Sequence, residues 1–289
     1  MLNMLASGDP IFFPPEIIDE IIDRLDETST LLSFSLVCRR ALVKSRRYLF
    51  SAIEFTENES FDRFLHLAGA PWTSFTSAVE EIHLQDLFHP NYQYRNKRDP
   101  TQVASNLSNV KSLSILLHSI WKPGWSVVPR PILDIIFKLN IHDLQLDGVG
   151  MWDMEDIVML FSRLPPSVKA LSFRNLRFHQ MPDLSRHSSF HRPFRFRMLD
   201  NISLALFKYI LDPSVNPDLD VAVQAFHIRP PVFPTLEACN PLTWRFLNHV
   251  GHSIERLLIT FHKPYTFATF GKHIFLRQIC HLNTHHFNR

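Results

Sequence analysis

The chain has 289 residues and is 45% hydrophobic, so it can bury a full core without disulfide or metal support. Thirty Lys and Arg against 28 Asp and Glu leave a net charge of +2, which excludes a wholly basic polyanion binder and confines any charge-driven role to a local patch. The seven glycines, at 8, 69, 124, 148, 150, 251 and 271, form neither GxGxxG, GxxxxGK[ST] nor GxSxG, which removes the dinucleotide, P-loop and esterase readings.

Residues 12 to 50 read as three short helices. Pro14 and Pro15 suit a helix start, with Glu16, Asp19 and Glu20 near the positive end of the dipole. Ile17, Ile18, Ile21, Ile22 and Leu25 then share one face. Asp26 to Thr30 breaks the helix, and Thr28 and Ser29 are N-cap candidates for a second one carrying Leu31, Leu32, Leu36 and Val37. A third, from about Arg39, turns Ala41, Leu42, Ser45, Tyr48 and Leu49 inward and Arg40, Lys44 and Arg47 outward. So short a segment cannot bury all of this aliphatic surface internally; the rest must face a partner or the remainder of the chain.

The run Phe13-Pro14-Pro15-Glu16-Ile17-Ile18, then Ile21-Ile22-x-x-Leu25, Leu31-Leu32 and Leu36-Val37-Cys38-Arg39, resembles an F-box, in particular that of the expanded families of mushroom-forming fungi. Two positions depart from that pattern: Phe13 stands in place of Leu, and Ala41 in place of the Trp many members carry. The resemblance implies docking on a Skp-type adaptor, and through it on a cullin. The implied contacts are Phe13, Pro14, Ile17, Ile18, Ile21, Leu25, Leu31, Leu32, Leu36, Val37 and Arg39. The alternative for each aliphatic is that it only holds the three helices together.

After the polar Thr56 to Ser60 and a helix from Phe61 to Gly69, one pattern recurs: apolar, two residues, apolar, one residue, apolar. It appears as Val79-Ile82-Leu84, Val110-Leu113-Ile115, Ile141-Leu144-Leu146, Val168-Leu171-Phe173, Leu199-Ile202-Leu204, Val223-Phe226-Ile228 and Ile254-Leu257-Ile259. The starts differ by 31, 31, 27, 31, 24 and 31 residues, the spacing of strand-plus-connection units that bury apolar edges against their neighbours. Helices over Ile132 to Leu139, Asp153 to Leu164, Ala205 to Leu211 and Leu242 to Val250 fit between them. The unit resembles an irregular leucine-rich repeat, with an irregular α/β array as the alternative. Its turn position, normally Asn or Cys, holds Leu87, His118, Val149, Leu176, Phe207, Pro231 and His262. Six prolines between 212 and 241 interrupt the regularity, and the last unit is followed by about thirty residues without a polar cap, as in a shortened member of such a family.

The expected fold class is therefore α/β: a three-helix F-box over 12–53, a linking helix and loop over 54–78, and a leucine-rich-repeat-like solenoid over 79–289. Residues between the buried apolars would line a target-binding face: His83 and Gln85, Ser114 and Leu116, Gln145 and Asp147, Ser172 and Arg174, Ser203 and Ala205, His227 and Arg229, Leu258 and Thr260. Their mixed chemistry suits a protein surface better than a phosphate backbone.

From Phe173 to Arg197, Arg174, Arg177, Arg186, Arg192, Arg195 and Arg197 interleave with Phe173, Phe178, Phe190, Phe194 and Phe196. Three readings compete: single-stranded nucleic acid, an acidic or phosphorylated protein segment, or rings in the core with Arg in water. The last is favoured, and nucleic acid least. The spacings Cys280-His281 with His285 and His286, His249 with His252, and His187 with His191 match no metal motif, so no metal, cofactor or catalytic residue is expected.

Cys38, Cys239 and Cys280 form no CxxC, the N-terminus lacks a signal-like run, and no stretch is long and apolar enough to span a bilayer. A soluble cytoplasmic or nuclear protein is expected. Its function would be that of a substrate receptor of a cullin-based ubiquitin ligase, without chemistry of its own; a repeat-based scaffold without ubiquitin coupling is the alternative.

Overall fold

The computed structural model describes residues 13–88, 98–117, 128–151, 154–178, 194–200, 221–228 and 249–259. Three helices come first: α1 (Pro15–Asp23), α2 (Thr28–Ser35) and α3 (Arg39–Phe50). Pro15 opens α1 where its missing N–H costs nothing. Thr28 and Ser29 do not cap α2; they lie in its first turn, after Glu27 at the N-cap. Cys38 caps α3, its Sγ accepting from the Ala41 N–H at 3.4 Å. The helices meet on Ile22, Leu31 and Ala41, with Ile18, Leu25, Phe34, Cys38 and Leu49 around them.

One residue past α3, β1 (Ala52–Phe55) begins the sheet. With β2 (Glu81–Gln85), β3 (Ser112–Leu116), β4 (Asp143–Asp147), β6 (Ala170–Arg174), β8 (Phe194–Asp200), β9 (Val221–Ile228) and β10 (Arg256–Ile259) it makes, among the described residues, one eight-stranded sheet. Every pairing is parallel, and each strand lies beside the next in sequence with no change of direction. Short β5 (Gly150–Met151) and β7 (Arg177–Phe178) pair separately. The connections include α4 (Asn58–Ala68), α5 (Pro100–Asn106), α6 (Arg130–Ile136) and α7 (Met154–Arg163). With α4 to α7 connecting β1 through β6, this next-to-next stacking covers the inner sheet face there with helices.

A backbone rung repeats from step to step. The Ser51 carbonyl accepts from the N–H groups of Glu80 and Glu81, that of Glu80 from Lys111 and Ser112, that of Lys111 from His142 and Asp143, and that of His142 from Lys169 and Ala170, all between 2.7 and 3.1 Å. At the other end of the strands the N–H of Asp86, Leu117, Gly148 and Asn175 each reaches the last carbonyl of the neighbouring strand at 2.8 to 3.0 Å. Asp86, Gly148 and Asn175 turn there with φ of 51°, 68° and 51°. These are the residue types that tolerate the left-handed region. The next position but one from each strand, Leu87, Val149 and Leu176, is buried apolar rather than the polar Asn of a turn ladder. The rungs satisfy the backbone that such a ladder would otherwise serve.

Side chains form columns across the strands. Val79, Val110, Ile141 and Val168 stand at the strand entrances; Ile82, Leu113, Leu144, Leu171, Phe196 and Val223 form the next column; Leu84, Ile115, Leu146, Phe173, Leu199, Phe226 and Leu257 the third. All are buried in one continuous core. Phe173 packs edge-on to Phe196 at 5.5 Å and stacks with Phe161 of α7 at 6.0 Å.

Several expectations change. The fifth unit is not Leu199-Ile202-Leu204: its strand is Phe194–Asp200, so Leu199 is the last buried apolar residue of its strand, not the first, and 202 and 204 lie outside the described residues. Two residues, Arg197 and Met198, separate the inward Phe196 and Leu199, because the register against β6 shifts between Leu171 and Ser172. Such a bulge hides the regular spacing from a period count. Residues 52–78, divided above between the helical segment and a link, supply β1 and α4, whose Phe55, Phe61, Phe64 and Leu65 belong to the main core. Helix α5 was not anticipated; the helix expected over 205–211, and most of that over 242–250, lie outside the described residues.

Candidate interaction surfaces

On the helical segment the sequence-derived contact residues divide by burial. Leu31 is buried, and Ile18, Ile21 and Leu25 are half-buried; Leu31, Ile18 and Leu25 belong to the helical cluster. Phe13, Pro14, Ile17, Leu32, Leu36, Val37 and Arg39 face solvent. Leu36 is 84% exposed and Val37 67% at the end of α2, and Val43 of α3, which the pattern did not single out, is 66% exposed. Large apolar side chains so exposed, in a segment with so small a core, are the mark of a surface made to be covered.

The contact between α1 and α3 is held by charge. Arg40 forks onto Asp19, Nε to Oδ1 at 3.2 Å and Nη2 to Oδ2 at 2.5 Å. Lys44 Nζ lies 2.6 Å from Asp23 Oδ1 and donates to the Asp19 carbonyl at 2.7 Å, and the Tyr48 hydroxyl donates to Asp23 Oδ1 at 2.5 Å. The spacing explains it: Asp19 and Asp23 are one turn apart on α1, and Arg40, Lys44 and Tyr48 follow at one-turn intervals on α3. The Arg40 hydrogen bond holds the Asp19 carboxyl below its ordinary value, and those from Lys44 and Tyr48 do the same for Asp23. Asp23 in turn pushes the Tyr48 phenol up, and Asp19 raises the Arg40 guanidinium. Lys44, expected to point outward, is thus drawn into this zipper.

The same α3 is seated on the sheet domain. Phe50 packs on Phe75 at 5.5 Å, Phe75 on Phe64 at 5.9 Å, and Arg46 Nη1 donates to Ser74 Oγ at 3.1 Å. The helices and sheet therefore share packing at this joint.

The outward face of the sheet carries the second group. His83, Ser114, Gln145, Ser172, Met198 and Ala225 are in register as one row. Gln85, Leu116, Asp147, Arg174, Asp200 and His227 form the next. His227, paired above with Arg229 as the equivalent of His83, instead continues the row of Arg174, for the reason the bulge supplies; Ser203, Ala205, Arg229 and Thr260 lie outside the described residues. His227 Nδ1 is 2.9 Å from Asp200 Oδ1, Arg174 Nε donates to Met198 Sδ at 3.0 Å, and Asn175 Nδ2 donates to Asp147 Oδ1 at 2.8 Å. Asp200 and Met198 were missed. The alternation Phe194-Arg195-Phe196-Arg197 is a period-two strand signal that could have found them.

Phe173 and Phe196 are buried while Arg195 and Arg197 are exposed, so in the described part of that patch the rings serve the core and the guanidinium groups meet water. Rings so placed cannot stack on bases. His249 and His252 are exposed, the other histidine clusters lie outside the described residues, and among the described residues no group of three or more His, Cys, Asp or Glu could hold a metal. Among the same residues no helix is long and apolar enough to cross a membrane.

Comparison with known families matches residues 12–46 to the F-box domain. No curated protein matches the chain.

Proposed function

From the F-box domain at residues 12–46 we propose that this protein is a substrate receptor: its helical segment docks on a Skp-type adaptor, which joins it to a cullin-based ubiquitin ligase, and its sheet domain holds a target. F-box proteins are generally adaptors rather than enzymes, and the work here is tethering, which raises the local concentration of target beside the transfer machinery. The observation that carries the reading is the partition of the helical aliphatics. Ile22 and Leu31 are consumed by the small core, whereas Ile17, Leu32, Leu36 and Val37 are left to solvent and lie outside the sheet domain's core. A scaffold that used these helices only as a cap would bury them on its own strands.

The strand-by-strand parallel stacking and the columns of Leu, Ile and Phe support a leucine-rich-repeat-like solenoid, with the outward rows through His83, Gln85, Gln145, Asp147, Arg174 and His227 as the target face. The direct passage from α3 into β1, and the Phe50–Phe75 contact, support a fixed relation between that proposed face and the helices. A target would then be held at a set orientation rather than on a tether. A reducing compartment, cytosol or nucleus, belongs to the same proposal.

The test is a pulldown of the full chain by a purified Skp-type adaptor, with Leu36→Asp and Ile17→Asp variants and a Leu67→Asp control on α4. Wild type and control are expected to bind. Each helical variant is expected to lose at least about tenfold in affinity, the usual cost of about 1.4 kcal/mol or more for a buried interface anchor. A wild-type chain with native circular dichroism that fails to bind would sink the reading.

A further inference from the structure

The open face of the sheet is electrically bipolar. On β1 to β4 its outward charges are Glu54, Glu81, Asp143 and Asp147, with His83 the only described basic type among them, 3.4 Å from Glu81. On β6 to β10 they are Arg174, Arg195, Arg197 and Arg256, against Asp200, which His227 engages, and Glu255 at the strand entrance, which accepts from Gln224 at 2.8 Å. Lys111 and Arg47 do not balance the acidic half: both reach Glu80 at the strand entrances, Lys111 at 2.7 Å. On either side of β4, Ser112 and Ser114 of β3 and Ala170 and Ser172 of β6 keep the surface low enough for another chain to lie close. The polarity arises because each strand donates its outward residues in register with the last, so segments of like charge far apart in sequence add along the sheet.

We propose that this face binds a polypeptide segment lying across the strands, whose own charge is polarised: basic where it crosses β1 to β4 and acidic where it crosses β6 to β10. Seven inter-strand spacings of about 4.8 Å give about 34 Å, the length of roughly ten extended residues. A nucleic acid strand is disfavoured, since its uniform negative charge would meet the carboxylates of the acidic half. The inference rests on the sheet being the target face, as proposed above, and specifies what that face selects.

The experiment is fluorescence anisotropy on the full chain with three labelled peptides of one composition and a single-stranded oligonucleotide. One peptide has a lysine block, a serine spacer and a glutamate block; one reverses the order; one interleaves the same residues. A block peptide is expected to bind about tenfold tighter than the interleaved one, the sum of a few exposed pairs, and the preference should vanish as salt is raised. The Arg195→Glu, Arg197→Glu variant should lose the preference and bind an all-lysine peptide better. Equal binding of block and interleaved peptides that a Ser114→Arg, Ser172→Arg variant removes would overturn the inference while leaving the target face in place. Tighter binding of the oligonucleotide, or no peptide binding at all, would also overturn it, and the adaptor pulldown, which does not involve this face, judges the receptor reading separately.

Discussion

The helical segment and the sheet domain dispose of their apolar residues in opposite ways. Among the described side chains, the sheet domain buries nearly every large aliphatic and aromatic residue of its strands and shows the solvent Ser, Gln, Asp and Arg. The helices bury Ile22, Leu31 and Ala41, leave Leu32, Leu36, Val37 and Val43 outside, and hold their shape with ion pairs between α1 and α3. A region that leaves so much hydrophobic surface outside its core must find cohesion elsewhere, and exposed charge pairs are a weak substitute. The difference bears on the contacts proposed for each region: apolar burial for the helices, charge and hydrogen bonds for the sheet.

The sharpest way to break this comparison is at the sheet core. Phe173→Ala removes a ring wedged between Phe161 and Phe196 and is expected to cost about 3–5 kcal/mol. Urea denaturation followed by tryptophan fluorescence should show the whole sheet losing stability together; an unchanged midpoint would mean the columns are not one cooperative unit.

Ile22→Ala acts on the other core, where a deletion of this kind costs about 2–4 kcal/mol. Because so few residues share that core, amide exchange should rise in α1 to α3 while β2 to β6 stay protected. Uniform loss of protection would make the two regions one folding unit.

Gly148→Ala probes the turns between the strands. A Cβ there would stand 2.0 Å from the Leu117 carbonyl oxygen, at a φ of +68°. A loss of at least about 2 kcal/mol is expected, from the strained backbone and the displaced carbonyl. Asn175→Gly, at the same turn position one step along, should be far milder, and comparable losses would point away from backbone conformation as the cause.

The smallest effect is a pH dependence confined to the helices. Asp19 and Asp23 are held below their ordinary value when folded. Their contribution is therefore complete above the unfolded value of about 4 and is lost as pH falls through the lower folded one. Exchange protection in α1 and α3 should be constant from neutrality to about pH 5 and fall below about pH 4, and Asp19→Asn with Asp23→Asn should flatten that fall.

Much of the fold was legible residue by residue. The helix pattern at 15–50 and the strands through Ile82, Leu113, Leu144 and Leu171 follow from periodicity, since each buried position repeats at a spacing set by backbone geometry, whereas Phe226 and Leu257, expected in the column of Ile82, stand in that of Leu84. The strand Phe194–Asp200 was misplaced because its bulge puts two residues between inward ones, and β1 was not anticipated because Ala52–Phe55 is too short to declare a period. Which of the helical aliphatics are exposed was also out of reach: Ile18 and Ile17 are neighbours of the same type, and only the position of α3 relative to α1 decides that one is packed and the other 41% exposed.

Composition and spacing by themselves determined that this chain has an apolar-rich helical head and a series of strands about thirty residues apart, because local backbone geometry ties those patterns to helix and strand. The tertiary structure alone decided that α3 runs straight into the sheet, that Asp200 meets His227, and that acidic and basic residues collect on opposite halves of one face. These are relations between residues distant in sequence, settled by strand register, and register depends on how the buried columns fit together rather than on any one segment.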